Sequence, residues 1–361
     1  MYKVFVLSII TEFYIMANNV TRLTDVIIPE VYEKYVNANI ISNFKLIESG
    51  AITSDASLAS LLAGGGASFT IPLWTDCTNV KDNIGSDDPS EKVGTDKLTA
   101  TSIVIPRMVR THAWTTANIT QVLAGADPMA EIGRQDIIFR RKSLQNQFLA
   151  VVKGIFANNA TENDGIHVKG DMRFDVSATA FVEGVTNITA DAIIDAVSTM
   201  GDMQDDLGTM IVHSKVYARM KKDQLIQTIQ PAVVGARPIE MYGNYRLLVS
   251  DVLPYDKTTG VCSTYIFGSD QFKLAFGQFP NPISVDVDEA GGNGTGITTL
   301  YSRWVNAIAP NGFSFVGTIG NKSPSNDATS NNLASASSWK QVIDRKAIKM
   351  VELVTREHSN F

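Results

Sequence analysis

Apolar positions at Ile137, Leu144, Phe148, Val151 and Ile155 fall seven, four, three and four residues apart, the repeat of one helical face. Asp127 is placed to cap that helix, and Pro128 suits its first turn, where an N–H has no partner anyway. The predicted element, residues 127–157, is a rod of roughly 45 Å. Arg134, Arg140, Arg141 and Lys142 fall away from the stripe, most simply as a solvated face, otherwise toward nucleic acid or an acidic partner. Upstream the period changes. SFTIPLW (68–74) and LTATSIVIPRMVRTHAW (98–114) alternate and are rich in β-branched residues, so each reads as one strand. The polar, Gly- and Asp-rich stretch between them makes a long hairpin, residues 66–114. Isolated two-stranded ribbons are marginal in water, so this one is expected to lie on something else.

Further along, Thr189 reads as the cap of ADAIIDAVSTMGD, with Ile193, Ile194, Val197 and Met200 facing inward. TMIVH follows as a buried strand and SKVYARMKKDQLI as a helix. RLLVSDVLP, STYIFGS, FKLAFG, ISVDV and TTLYSRWVNAIAP read as strands. An Ala/Ser-rich stretch at 324–337 reads as a helix and WKQVIDRKAIKMVELVTR as paired strands. Helix and sheet thus mix in an α+β body, with a piece at about 190–255 inserted between parts of it. Ahead of the hairpin, IIPEVYEKYV and NIISNFKLIESG are short amphipathic pieces suited to an extended arm.

Composition changes this picture little. The 361 residues, 44% hydrophobic and 19% charged, suit one large core or two ordinary ones. A net charge of −6, from 31 basic and 37 acidic residues, lacks the basic footprint of a dedicated DNA-binding domain. Cys77 and Cys262 stand far apart, without the clustering of a zinc site. The opening MYKVFVLSIITEFYI imitates a secretory signal, but Glu12 breaks its apolar run and no small-x-small site follows. The run is too short to span a bilayer, and no membrane partner is expected. Residues 1–15 are read as a misassigned start, with Met16 opening the functional chain.

Candidate chemistry is sparse. His213 and Ser214 stand side by side where a strand meets a helix, and Ser214 reads as the helix cap. The rival, a serine hydrolase, needs an oxyanion loop and a Gly-flanked elbow that the neighbouring residues do not provide. GGGAS (64–68) leads into a strand and AGGNGTG (290–296) joins two strands, whereas a phosphate loop must open a helix. Asp286, Asp288 and Glu289 do not follow a calcium-loop spacing, and His112, His167 and His358 have no partner for a metal. No catalytic residue, cofactor or metal is assigned.

The order of pieces resembles a tailed-phage major capsid protein of the HK97-like class. TRLTDVIIPEVY is similar to its arm, TMIVHSKVYARMKKDQLI and VSDVLPYD to its apical domain, and PNGFSFVG with WKQVIDRKAIKMVELVTR to its late strands. The resemblance implies an arm at 16–65, an extended loop at 66–114, a peripheral domain at 115–184 and 256–361 with the spine helix, and an apical domain at 185–255. It further implies hexamers and pentamers around double-stranded DNA, a separate scaffolding protein, a portal and room for a decoration protein, in virions assembled in the host cytoplasm. Candidate assembly contacts are Trp74, Lys81, Lys92, Lys97, Trp114, Arg134, Arg140 and Arg141. A nanocompartment shell of the same fold is the alternative. Mass spectrometry of the purified protein is expected to find chains beginning at Met16 or Ala17, without peptides from residues 1–15.

Overall fold

The switch from alternating to helical patterning is realised close to where the sequence places it. The structure, a computed structural model, describes residues 52–74, 82–95, 97, 100–125, 128–161, 168–229, 239–277 and 279–358. The expected arm up to residue 51, Lys81, Cys77, Asp127 and His167 lie outside the described residues.

β1 (Ile52–Ser54) leads into α1 (Ala56–Ala63), which Asp55 caps by accepting from the Ser57 amide at 2.8 Å. The glycines after α1 turn the chain into β2 (Ser68–Trp74), Gly66 with φ 109°. Next come β3 (Ala100–Pro106), β4 (Met108–Ala117), the short α2 (Asn118–Ala124) and α3 (Pro128–Thr161). β5 (Arg173–Asp175) precedes α4 (Ala190–Ser198), whose cap is the expected Thr189, accepting from the Ala192 amide at 3.1 Å. Then follow β6 (Leu207–Val212), α5 (Ser214–Lys222), β7 (Gln227–Ile229), β8 (Ile239–Tyr242) and β9 (Tyr245–Val249). β10 (Val261–Gly268), β11 (Phe272–Gly277), β12 (Ile283–Asp288) and β13 (Ile297–Pro310) form a run of strands. β14 (Phe313–Phe315), β15 (Trp339–Gln341) and β16 (Met350–Arg356) close the chain.

These elements fall into two compact units. The first includes Val109–Leu144 and Phe276–Val305. Here β12 pairs antiparallel with β13, from Ile283↔Ser302 to Asp288↔Ile297, and β4 also pairs with β13. The AGGNGTG stretch is the turn between β12 and β13. Asn118 fastens it, donating its N–H to the Gly296 carbonyl at 3.1 Å while its side-chain oxygen accepts from the Thr298 hydroxyl at 2.6 Å.

The second unit includes the described part of 45–108 together with Gln145–Ala275 and Asn306–Phe361. β2 and β3 form an antiparallel ribbon from Ser68↔Pro106 to Trp74↔Ala100. The largest sheet runs β5-β16-β10-β6-β9-β8-β7, with β6 and β9 parallel. Ile193, Val197 and Met200 near α4 and Val216 and Met220 of α5 join one core with Met210, Ile266, Val351 and Leu353. Residues 188–220 therefore share their core with β10 and β16. Burying such side chains stabilises by roughly 1.5–3 kcal/mol each, which fixes the helices on the sheet. Rings connect α3 to β10 and β11: Phe156 stacks on Tyr265 at 5.3 Å and Phe148 meets Phe272 edge-on at 4.8 Å.

The C-terminal stretch is clasped onto α3. Trp339 Nε1 donates to the Leu333 carbonyl at 2.7 Å, and Asn158 Nδ2 donates to the carbonyls of Ala336 at 3.0 Å and Trp339 at 2.8 Å. This approach needs a helix position without a side chain. A Cβ on Gly154 would stand 2.2 Å from the Leu333 carbonyl oxygen and 2.5 Å from Trp339 Nε1.

Several expectations are corrected. The strand read at 98–114 is two strands, β3 and β4. Pro106 offers no N–H, Arg107 closes the ribbon by donating to the Ala67 carbonyl at 2.9 Å, and the chain then joins β13 instead. α3 runs on to Thr161, past the expected end at 157. Ile137 and Ile194, expected in apolar stripes, are 57% and 60% exposed, while Leu144, Phe148, Val151 and Ile155 are buried as expected. RLLVSDVLP ends as a strand at Val249, and the chain turns at Asp251. The stretch 324–337 is not a helix: its side chains bond the local backbone, as when Asn332 Oδ1 accepts from the Ser325 amide at 2.9 Å, and only a 3₁₀ turn forms at Ala336–Ser338. The last two strands do not pair with each other. β15 pairs with β14, and β16 pairs with β10 and β5. Between them, Arg345 donates to the carbonyls of Ile348 at 2.7 Å, Met350 at 3.3 Å and Asp171 at 3.3 Å, and its burial pushes the guanidinium pKa down to about 10.

Gly154→Ala is expected to lower the unfolding free energy by about 1–3 kcal/mol, because the clash is with backbone that cannot rotate away. Gly133→Ala on the same helix, where an added Cβ meets nothing within 4 Å, should raise it by about 0.5–1 kcal/mol. Denaturant midpoints of the two variants check both signs.

Candidate assembly surfaces

The His213–Ser214 pair is the first candidate. His213, not the expected Ser214, caps α5, its Nδ1 accepting from the Lys215 amide at 3.2 Å. A ring nitrogen two residues upstream of that amide takes the capping role that the Ser214 hydroxyl was expected to fill. The imidazole stacks on Tyr255 at 4.8 Å, and its Nε2 lies 3.8 Å from Asp251 Oδ1. Burial pushes its pKa down, against the pull of Asp251. Ser214 stands at the first helical position, and only its backbone N–H is tied, donating to Asp251 Oδ1 at 3.4 Å. With Nδ1 engaged by the cap and no hydrogen bond from the imidazole to the Ser214 hydroxyl, the two do not form a nucleophile–base pair. Among the described residues, no group of three or more His, Cys, Asp or Glu side chains could hold a metal ion.

The second candidate is the β2–β3 ribbon and the segment beyond it. Every residue described between 82 and 95 is exposed, including Ile84 at 94% and Val93 at 72%, and Trp74 at the ribbon's end is 68% exposed. The segment is nonetheless shaped. The Asn83 side chain pairs with Gly94 like a peptide group, Nδ2 donating to the carbonyl at 3.1 Å and Oδ1 accepting from the amide at 3.2 Å. Asp88 Oδ1 accepts from the Ser90 amide at 2.8 Å and hydroxyl at 2.7 Å, bonds that hold its pKa below the usual carboxylate range. The tip thus presents two large apolar side chains among Asp82, Asp87, Asp88 and Glu91.

The third lies in the first unit. Asp136 is buried in a knot of donors: Trp114 Nε1 at 3.2 Å, Arg140 Nε at 2.8 Å and the Ser302 hydroxyl at 2.7 Å. The Arg140 guanidinium also lies 5.3 Å over Trp304. Charge-assisted bonds of this kind satisfy a buried carboxylate and fix the residues around it. Beside the knot is a groove of about 520 Å³, lined by Met129, Ile137, Arg141, Ile283 and Leu300 with Asp136 and Arg140. Ile283, Val285 and Val287, at alternate positions of β12, are 59%, 56% and 44% exposed, so one face of that strand is an apolar strip.

Sequence and fold comparisons agree with these observations. No family model matches the chain. It is 27% identical over 341 residues to the major capsid protein of Bacillus phage SPP1, covering 93% of this chain and 98% of that one. The chain is thus similar in sequence to a tailed-phage major capsid protein and shares the HK97-like fold of phage capsids. Among solved structures, the capsid of Ralstonia phage GP4 matches with a TM-score of 0.50 at 10% identity, over 89% of this chain and 94% of that one. The capsid of cyanophage Pam1 gives the same score and identity over 82% and 87%.

The structure presents the contacts selected from sequence unequally. Trp74, Lys92 and Lys97 are exposed beside or beyond the ribbon, and Lys81 lies outside the described residues. Trp114 and Arg140 are committed to the Asp136 knot, Arg141 lines the groove, and the Arg134 side chain is not among those described. Ile84, Val93, Ile283, Val285 and Val287 were missed. Alternation in ISVDV shows which residues share a face, not that the face is open. His213→Ala is expected to lower stability by about 1 kcal/mol through the lost cap. Ser214→Ala should change it by less than ~0.5 kcal/mol. Thermal unfolding of both variants distinguishes His213 from Ser214 as the capping residue.

Proposed function

We propose that this subunit builds, in hexamers and pentamers, the icosahedral shell that encloses phage double-stranded DNA. The observation that carries the reading is the shaped but wholly exposed segment beyond the β2–β3 ribbon. Exposed strand edges with apolar tips invite uncontrolled pairing in a free monomer, and natural proteins cover them. In a closed shell, each copy lends its ribbon to a neighbour and receives another in a head-to-tail contact closed by symmetry. The acidic, apolar tip suits a groove bearing Arg140 and Arg141 beside Ile137 and Ile283 on a neighbouring copy. Modest contacts of this kind become strong when every subunit is held by several others.

The domain assignment proposed with this function keeps an arm at 16–65, the extended loop at 66–114, a peripheral domain at 115–184 and 256–361, and an apical domain at 185–255. A separate scaffolding protein, a portal and a decoration protein are the further partners of the reading, with assembly in the host cytoplasm. Contact with enclosed DNA is non-specific, in keeping with a net charge of −6. Replacing residues 76–97 by a short Asn-Gly turn should leave folded subunits or capsomers but abolish closed particles in sedimentation and electron microscopy. Normal shells from that deletion would show the ribbon to be dispensable. A stable, monodisperse monomer from the full-length chain would overturn the shell reading. Particles that enclose a protein cargo in place of nucleic acid would favour the nanocompartment alternative.

A further inference from the structure

At the end of β16 the chain is tied down at three places. Arg356 donates its N–H to the Thr186 carbonyl at 2.7 Å and its Nη1 to the Thr259 carbonyl at 2.6 Å. The Glu357 amide donates to the Gly260 carbonyl at 2.8 Å. In return, Glu357 Oε1 accepts from the Ile188 amide at 3.0 Å, next to the Thr189 cap of α4. Glu357 is only 4% exposed.

A buried carboxylate is normally paired with a cation or supplied with several donors. Glu357 has neither in full. Besides the Ile188 amide it has the Thr355 hydroxyl at 3.5 Å. Arg219 of α5, whose charge pulls on the carboxyl, gives its hydrogen bonds to Glu183 and Asp223, both at 2.9 Å. Asp223 adds negative charge nearby, and Tyr255 and Cys262 also sense the carboxyl. A cavity of about 90 Å³ adjoins the site, lined by Phe181, Lys215, Arg219, Lys222 and His358 with Glu357, which leaves room for water once the carboxyl charges.

We propose that Glu357 is a proton-controlled latch for the C-terminal segment, closed while its carboxyl is neutral and loosened when it ionises. The neutral carboxyl keeps its carbonyl oxygen for the Ile188 amide and removes the buried charge. Burial, outweighing the Ile188 bond and Arg219, pushes the pKa up from the ordinary 4.5 to about 7. An acid raised in this way favours the closed state at low pH. As pH climbs above 4.5 the open segment releases its proton while the closed one keeps it, so closure weakens steadily until about pH 7. Above that both states are ionised and the loss levels off.

Hydrogen exchange of the full-length chain, read by mass spectrometry on peptides covering 182–190 and 351–358 and corrected for intrinsic exchange, tests the latch. Between pH 5 and 8 the opening constant of both segments should rise together, by up to ~100-fold. In Glu357→Gln, which keeps the acceptor but cannot ionise, the profile should be flat and protection at pH 8 higher than in the wild type. Equal pH dependence in the two proteins, or none in the wild type, would overturn the proposal. His358→Gln and His213→Gln should leave the wild-type profile in place, and loss of the dependence in either would assign the titration to that histidine instead. If Glu357→Gln does not fold, the wild-type profile and the two histidine variants decide the matter.

Discussion

A single residue without a side chain, Gly154, lets the second unit close. The indole of Trp339 and the carbonyl of Leu333 approach α3 at that position more closely than any Cβ would allow. Asn158, one turn further, collects two carbonyls of the same irregular stretch. These contacts satisfy backbone groups that, in a segment with no helix or sheet of its own, would otherwise be buried without partners. β15 begins at Trp339, pairs with β14, and the Arg345 turn then delivers the chain to β16. Since β16 lies between β5 and β10 in the largest sheet, the clasp holds the segment that leads into it.

That sheet tolerates polar groups because neighbouring strands answer them in register. Glu352 of β16 faces Tyr265 of β10 on one side and Arg173 of β5 on the other. Its carboxylate lies 3.6 Å from the Arg173 guanidinium, and burial pushes its pKa up despite that cation. Tyr265, also buried, is pushed well above the ordinary phenol range. Such a ladder stabilises little against apolar residues of the same size, but a strand slipped by one position would leave a carboxylate buried alone. Register is thereby specified. Glu357, five residues further along, has no arginine bridge of the kind Arg173 gives Glu352 and accepts instead from the Ile188 amide and the Thr355 hydroxyl.

The outward features follow a different logic. A fold that fills its interior with Phe148, Tyr265, Phe267 and Trp339 still leaves Trp74, Ile84, Val93, Ile283 and Val285 in solvent. In a protein built to remain single these would be liabilities. In the proposed shell they would meet other copies, and the Asn83–Gly94 pairing shapes the tip within the single chain.

The long helix, the Thr189 cap, the central strands and the turn at 290–296 were all legible in the sequence, because each depends on spacing and on residues close in the chain. The capsid resemblance was legible for the same reason, being an order of elements. What could not be read was set by partners far along the chain. The break at Arg107 depends on Ala67, the irregular course of 324–337 on hydrogen bonds among its own side chains and on α3, and the pairing of β16 on β10 and β5. The sequence pointed to Ser214 as the cap, and geometry gave the cap to the His213 imidazole. Local patterning therefore determined which elements exist and in what order. Strand partners, the exposure of Ile84 and Ile137 and the isolation of the Glu357 carboxyl were decided by tertiary packing, because burial and hydrogen-bond supply depend on what arrives from elsewhere in the chain.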